Sequence, residues 1–438
     1  MALFKFRRQE SEVKWPTATP AGVEAFKEFY DAETFQETLD SFKRVCIGAN
    51  VSRGGRYSEF FPYLKAAYKD VLPYKYKEIW KILEKKAKQE LYERNTIGHI
   101  ERNRVLVVGA GPVGLRTAIE AQLLGARVVL IERRPSFTRN NVLKLWKFLI
   151  EDLKSLGAKK FFGKFATGSI NHINIRSLQL MLVKISLMLG VIIYAPCKFV
   201  RLAEPSLTEE GALIAGWQAI FEEKEKEAEG YVFDIIIGAS GKNCVLDGFS
   251  RYSLDARLAI AITANFVNRW SSEEAAVEEI GGLSRQYDQD FFKEMHQETG
   301  VDLENIVYYK DEVHYFVMTA KKESLLKEGV LIEDLQDDHD DPNGRGRILR
   351  PSNVNREKLL DYAKKAALYA TEKKSTKLPH TDWKMLPRGD KGEPDCCIFD
   401  FTNLYAARVA ARVTVRKGQP LLGAIVGDSL LEPFWPEG

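Results

Sequence analysis

The 438-residue sequence predicts an α/β fold: one βαβ dinucleotide-binding unit, a second sheet of mixed or antiparallel strands, and a helical layer ahead of both. Three observations carry this. Residues 1–100 hold aromatic and Lys/Glu-rich stretches at helical spacing and no strand pattern. From Arg104 the period changes, and "RVLVVGAGPVGLRTAIEAQLLGARVVLIERR" reads as strand, glycine turn, helix, Gly-Ala break and strand, with both strands apolar enough to be buried on two faces. Later runs such as "WQAIFEEKE", "LAIAITANFV" and "NIVYYKDEVHYFVMTAKKESLL" are rich in β-branched and aromatic residues, as a second sheet requires.

In chain order, "GVEAFKEFYDAETFQETLDSFKRV" and "PYKYKEIWKILEKKAKQELYER" are amphipathic helices whose apolar faces need a body to pack on; the lysines of the second read as a solvated face or as a surface for an acidic partner. "FDIIIGASG" is another buried strand ending in a glycine turn, and "LLGAIVGDS" repeats that pattern near the end of the chain. The acidic stretch "EDLQDDHDDPNGRGRILRPSN", with His339, reads as a surface loop rather than a metal site. The expected division is a helical segment over 1–100, a dinucleotide-binding region over 101–250, a sheet-containing substrate-side region over 251–390, and a return to the dinucleotide-binding region over 391–438.

Composition is that of an ordinary globular chain, with 45% hydrophobic and 29% charged residues. A net charge of +3 gives no reason to expect nucleic acid. No stretch approaches the 18 apolar residues of a membrane span, and "MALFKFRRQESEVKW" lacks the apolar core of a secretion signal. The five cysteines have no framework spacing, which predicts a reducing intracellular setting.

Gly109, Gly111 and Gly114 form GxGxxG between a strand and a helix. The first allows a sharp turn, the second lets the backbone approach a pyrophosphate, and the third lets the helix pack closely on the strand. The helix N-terminus adds free N–H groups and a positive dipole. Glu132, 18 residues after Gly114, closes the second strand, where a carboxylate can accept from ribose hydroxyls. Asp428, after the distant strand "LLGAIV", supplies a second half-site suited to a ribityl chain. Two half-sites so far apart favour FAD over NAD, and no second GxGxxG marks a separate nicotinamide domain.

The chain resembles the flavin monooxygenase domain of the MICAL proteins. The resemblance rests on "GAGPVGLRTAIEAQLLGARVVLIERR", "SFTRNNVLKLW", "LGAKKFFGKF", "INIRSLQLMLVKISLMLGV", "RLAIAITANFVNR", "TGVDLENIVYYKDEVHYFVMTAKKESLL", "PDCCIFDFT" and "GDSLLEPFWP", and it covers nearly the whole chain. It implies an FAD fold of the aromatic-hydroxylase type. It implies a monooxygenase using NADPH and O2, with F-actin methionine as substrate, sulfoxide as product and filament disassembly as consequence. It also implies a cytoplasmic, cytoskeleton-associated protein. Carried over residue by residue, cofactor contacts fall on Gly109, Gly111, Val113, Gly114, Glu132, Arg133, Arg134, Arg139, Asn140, Asn141, Phe199, Tyr315 and Asp428. Asn141, Tyr315 and Trp435 are the candidates for the catalytic centre, with Trp435 as a gate or substrate wall. This chain departs from the family at Val113, where Cys is common, and at Lys144 and Lys147, which replace a His and a Pro; the related hydroxylases carry Asp where this chain has Ser240. The family continues past "PFWP", so the segment reads as mid-domain and the chain is expected to be a fragment.

Alternatives stay open for several side chains. Asn141 is a flavin-edge donor or a helix N-cap, and Trp146 a ring-stacking residue or core. Arg139 faces a phosphate or a surface carboxylate, and His314 is a packed strand histidine or a catalytic one. Sulfur oxidation removes no proton from the thioether, so no general base is required. The competing activities are an NADPH oxidase releasing hydrogen peroxide and a catalytically weak actin-binding or scaffold module.

Overall fold

Four amphipathic helices open the described part of the chain, the first two with side-chain N-caps. They are α1 (Pro20–Asp31), α2 (Phe35–Ala49), α3 (Tyr57–Tyr68) and α4 (Tyr74–Ala87). The Thr19 hydroxyl accepts from Gly22 N, and Thr34 with Glu37 forms a reciprocal capping box. Glycine contact lets α1 and α2 cross closely: a Cβ placed on Gly48 would lie 2.4 Å from Gly22 Cα. Phe26, Phe29, Phe42, Leu64, Tyr68 and Trp80 are buried and join one core with the helices that follow. In this computed structural model the described residues are 16–92, 103–165, 171–222, 228–242, 246–255, 260–335, 347–374, 378, 384–388, 392–400 and 403–432.

The chain then runs β1 (Arg104–Val108), α5 (Pro112–Leu123), β2 (Arg127–Ile131), β3 (Val142–Lys144), α6 (Lys147–Ser155), α7 (Ala158–Phe161), β4 (His172–Asn174), α8 (Ile175–Leu189) and β5 (Ile192–Tyr194). Short strands β6 (Phe199–Ala203), β7 (Ser206–Leu207), β8 (Leu213–Ala215) and β9 (Gln218–Phe221) lead to β10 (Ile235–Gly238) and β11 (Arg251–Asp255). Next come β12 (Ile260–Val267), α9 (Ser272–Ala276), β13 (Ile280–Ser284), α10 (Gln289–Thr299), β14 (Leu303–Lys310), β15 (Val313–Ala320), α11 (Lys322–Lys327) and α12 (Arg356–Lys374). The described chain closes with β16 (Pro387–Arg388), β17 (Glu393–Pro394), β18 (Cys396–Asp400), β19 (Asn403–Ala407), β20 (Ala411–Arg416) and β21 (Gln419–Ile425).

Two sheets organise these elements. The first has the order β20-β21-β10-β1-β2-β5, with parallel pairs throughout except the antiparallel edge strand β20. The second, β13-β14-β15-β12-β18, is antiparallel at every pairing, which resolves the mixed-or-antiparallel expectation. The buried residues of α10 and α12, among them Phe292, Met295, Leu359 and Ala363, cover one of its faces in a separate core.

Two expectations need correction. "WQAIFEEKE" is no part of the second sheet, because β9 pairs only with β6 in a two-stranded ribbon. "LLGAIV" is not buried on both faces: Leu421 and Ile425 are buried, but Leu422 is exposed, as are Val413 and Val415 of β20 on the same face. A strand next to an antiparallel edge keeps one side open, which a strand between two parallel neighbours does not. Among the described residues no helix is long and apolar enough to cross a membrane.

Candidate functional site

The glycine turn sits where β1 hands over to α5, at the C-terminal edge of the parallel sheet. Gly109 adopts φ +113°, and a Cβ there would lie 2.5 Å from the Ala239 carbonyl oxygen of the neighbouring turn. At Gly114 a Cβ would lie 2.2 Å from the Gly109 carbonyl oxygen, so only glycine lets α5 lie this close to the strand. Gly111 differs, since its Cβ would meet only the Ala239 oxygen at 4.0 Å and otherwise faces open space. No side chain caps α5, so the N–H groups of its first turn point into that space. Ser240, the departure in "GASG", follows the residue that backs this turn.

Glu132 is buried at the end of β2, and it is already engaged. Its carboxylate accepts from Ala110 N at 2.8 Å, from Arg134 N at 2.9 Å and from the Arg134 guanidinium at 2.8 and 3.2 Å. Burial alone would raise its pKa, but Arg134 outweighs burial and holds the carboxyl below its usual range. Arg133 points outward. Arg139 makes no hydrogen bond or ion pair with another described residue. Desolvation in the groove, then the like charges of Arg134 and Arg388, lower its pKa although part of the side chain stays exposed; Asp428 and Glu132 oppose them. Asp428 lies in the turn Gly427–Ser429 after β21. Arg251 Nη2 donates to its carbonyl at 2.6 Å, Ser429 Oγ donates to Gly241 O at 2.7 Å, and Gly427 packs against Val113. The glycine turn, Glu132, Arg134, Arg139 and Asp428 are therefore brought together.

A second group gathers where the loop ahead of β3 meets the second sheet. Asn141 Nδ2 donates to the Tyr315 hydroxyl at 3.2 Å. Asn141 is not a helix N-cap: it precedes β3, and α8 is capped by Asn174, whose side chain accepts from Arg176 N at 2.8 Å. Tyr315 is fully buried, and burial raises its pKa despite the Asn141 bond, so it acts as a neutral hydroxyl rather than a base. Asn140 donates to Asp395. Phe199 is a core residue behind Glu132, packed with Val129 and Ile131. Trp146 is not core, being 59% exposed at the start of α6, with Lys144 and Lys147 exposed beside it. His314 is buried between the Tyr308 hydroxyl at 2.8 Å and the Glu274 carboxylate at 3.4 Å, on the helix-covered side of the second sheet, which makes it a packed strand histidine. Trp435, Cys244 and His339 lie outside the described residues.

Sequence reasoning missed Asn265, Asp395 and Arg388. Asp395 stands in the quoted string "PDCCIFDFT", a polar residue ahead of an apolar strand, but its partners are 130 and 255 residues away. No spacing rule reaches that far.

These features meet the demands of a dinucleotide. An open glycine, uncapped N–H groups and an arginine without a hydrogen-bond or ion-pair partner among the described residues suit a diphosphate, and Asp428 lies close enough to that arginine to influence its charge. Fold and site together define a dinucleotide-binding oxidoreductase. In agreement, a family model described as "Mical, Rossman domain" matches residues 258–400, and one described as pyridine nucleotide-disulphide oxidoreductase matches residues 75–172. The chain is 47% identical over 407 residues to F-actin monooxygenase Mical of Drosophila melanogaster, covering 93% of this chain and 8% of that protein. It is 47% identical over 414 residues to protein-methionine sulfoxide oxidase mical3b of Danio rerio, covering 94% and 23%. With F-actin monooxygenase MICAL2 of Homo sapiens it shares 47% over 415 residues, covering 95% and 20%. Among solved structures, aklavinone-11 hydroxylase in complex with FAD and aklavinone matches at TM-score 0.42 and 14% identity, covering 75% of this chain and 57% of that one. The chain belongs to the MICAL family. It spans between 8% and 24% of the length of the first curated relatives it matches.

Proposed function

We propose that this chain binds FAD and, with NADPH and O2 as cosubstrates, oxidises methionine side chains of F-actin to the sulfoxide, promoting filament disassembly at the cytoplasmic cytoskeleton. The observation that carries the reading is the open groove in which Gly111, the uncapped start of α5, Arg139 and the Asp428 turn converge. The names of the curated relatives, which are F-actin monooxygenases and a methionine sulfoxide oxidase, support the substrate.

Bound FAD would supply the redox chemistry, passing two electrons from NADPH to O2 so that one oxygen atom reaches the thioether sulfur and the other leaves as water. The protein binds and orients. Gly109 makes the sharp turn, with its own N–H donated to Ile131 O at 2.8 Å, while Gly111, Val113 and Gly114 present backbone N–H groups and a dipole to the diphosphate, and Arg139 adds a cation there. Glu132, held by Ala110 N–H and Arg134, keeps its carboxylate charged at the ribose end of the groove. Asp428 faces the ribityl side. Asn141 and Tyr315 form a neutral hydrogen-bonded wall, which suits a reaction that withdraws no proton from the substrate. Phe199 backs the Glu132 end of the site from the core of the first sheet. The same reading divides the chain at about residues 100, 250 and 390.

The test is direct. Purified chain incubated with FAD and desalted should keep a yellow flavin spectrum, and Arg139→Ala should lose it. Wild-type protein that emerges colourless contradicts the reading.

A further inference from the structure

Three side chains distant in sequence meet in one buried polar knot where the loop ahead of β3 packs on the second sheet. Asp395 Oδ2 accepts from Asn140 Nδ2 at 2.7 Å and from Asn265 Nδ2 at 2.9 Å. All three residues are buried, at 3%, 2% and 6% exposure for Asn140, Asn265 and Asp395. The carboxylate fixes which way both amides point, because a flipped amide would set oxygen against oxygen. The backbone of Asp395 is equally constrained: its carbonyl accepts from Asn265 N at 3.0 Å and its N–H donates to Leu386 O at 2.7 Å.

Each partner of Asp395 stands next to a residue of the Asn141–Tyr315 wall. Asn140 directly precedes Asn141, whose side chain reaches the Tyr315 hydroxyl. Asn265 on β12 pairs in register with Tyr315 on β15. The far side of the loop is pinned too, with Asn174 Nδ2 donating to Asn140 O at 3.3 Å and Ile175 N donating to Asn141 O at 2.9 Å. The knot is also open at one end, since Asn140 Oδ1 and Asn265 Oδ1 are buried with no donor among the described residues. A cluster serving packing alone would close its hydrogen bonds, and buried acceptors left over suit a site that receives a donor from outside the chain.

We propose that Asp395 is a positioning residue of the cofactor groove: by gripping Asn140 and Asn265 with one carboxylate oxygen it sets the loop carrying Asn141 against the sheet carrying Tyr315. This rests on the reading of the groove as a flavin site, so the test has one arm with cofactor and one without.

Asp395→Asn keeps the shape and removes the charge; Asn140→Ala removes the loop's grip; the double variant combines them. In the apo chain, hydrogen exchange of the peptide 138–145 should speed up about tenfold in either single variant, the worth of one hydrogen bond to a charged group, while exchange in β1 stays as in wild type. The dissociation constant for FAD, followed by flavin fluorescence, should rise by about the same factor in each. The double variant should be no worse than either single, because both cut the same link. The proposal is overturned if Asp395→Asn leaves exchange and affinity unchanged, if the two losses add, or if exchange in β1 rises equally, which would make Asp395 an ordinary packing residue. Should wild-type chain take up no FAD, the flavin reading falls while the exchange arm still decides the tie.

Discussion

Gly111 and Gly114 stand three residues apart and serve opposite ends. Gly114 is needed by the fold, because a methyl group there collides with the Gly109 carbonyl at 2.2 Å. Gly114→Ala should cost about 2–3 kcal/mol in urea unfolding of the apo chain. Gly111 is not needed by the fold, since its backbone is ordinary and the space beyond is open, and in the proposed reading it serves the ligand. Gly111→Ala should leave the apo unfolding midpoint almost unchanged yet weaken FAD binding at least tenfold in a fluorescence titration; equal affinity would remove the pyrophosphate from this turn. Lys184 gives a pH prediction. It is buried in α8, where Nζ donates to the carbonyls of Tyr30 and Ala32 at 2.7 Å each, and burial lowers its pKa to about 8. Between pH 8 and the usual lysine range above 10 the unfolded chain binds the extra proton, so this group's contribution to stability grows as pH rises. Relative to Lys184→Met, wild-type stability should therefore gain about 3 kcal/mol from pH 7.5 to 10.5, and a flat difference would show that the ammonium is not desolvated as its position implies.

At the scale of elements, helices were legible where caps and apolar spacing are local, and ties between helices were not. Thr34 with Glu37 and the Pro20 start can be read from three or four neighbouring letters. The lysine-rich α4 read as a solvated face, yet Lys86 is only 9% exposed and meets Asp152 of α6 at 3.1 Å. Asp152 also takes Arg116 of α5 at 2.7 Å, so one carboxylate holds three helices. Asp152→Ala would leave two partly buried cations facing each other, and should cost about 2 kcal/mol, less than a fully buried pair because Arg116 and Asp152 keep a quarter of their exposure. Thermal denaturation checks this, and no loss would show that the network is screened by water. The β9 misreading has the same origin: a period of two identifies a strand but not its partner.

At the scale of the whole molecule, the glycine turn and Glu132 were legible because a pyrophosphate-binding turn needs consecutive residues in a set order. The turn holding Asp428 was legible as a strand-to-turn pattern, but its approach to Val113 and Arg139 required the fold. The polar knot was invisible beforehand, since Asn140, Asn265 and Asp395 become neighbours only when β18 pairs with β12 beside the 140–141 loop. The most direct measurement supplies the chain with FAD, NADPH, F-actin, catalase and 18O2, and then analyses actin methionines by mass spectrometry. The account predicts sulfoxide carrying one 18O atom at defined methionines, with NADPH consumption that rises on adding filaments. Unmodified actin, with NADPH consumed at an unchanged rate and its electrons recovered as peroxide when catalase is omitted, would contradict it.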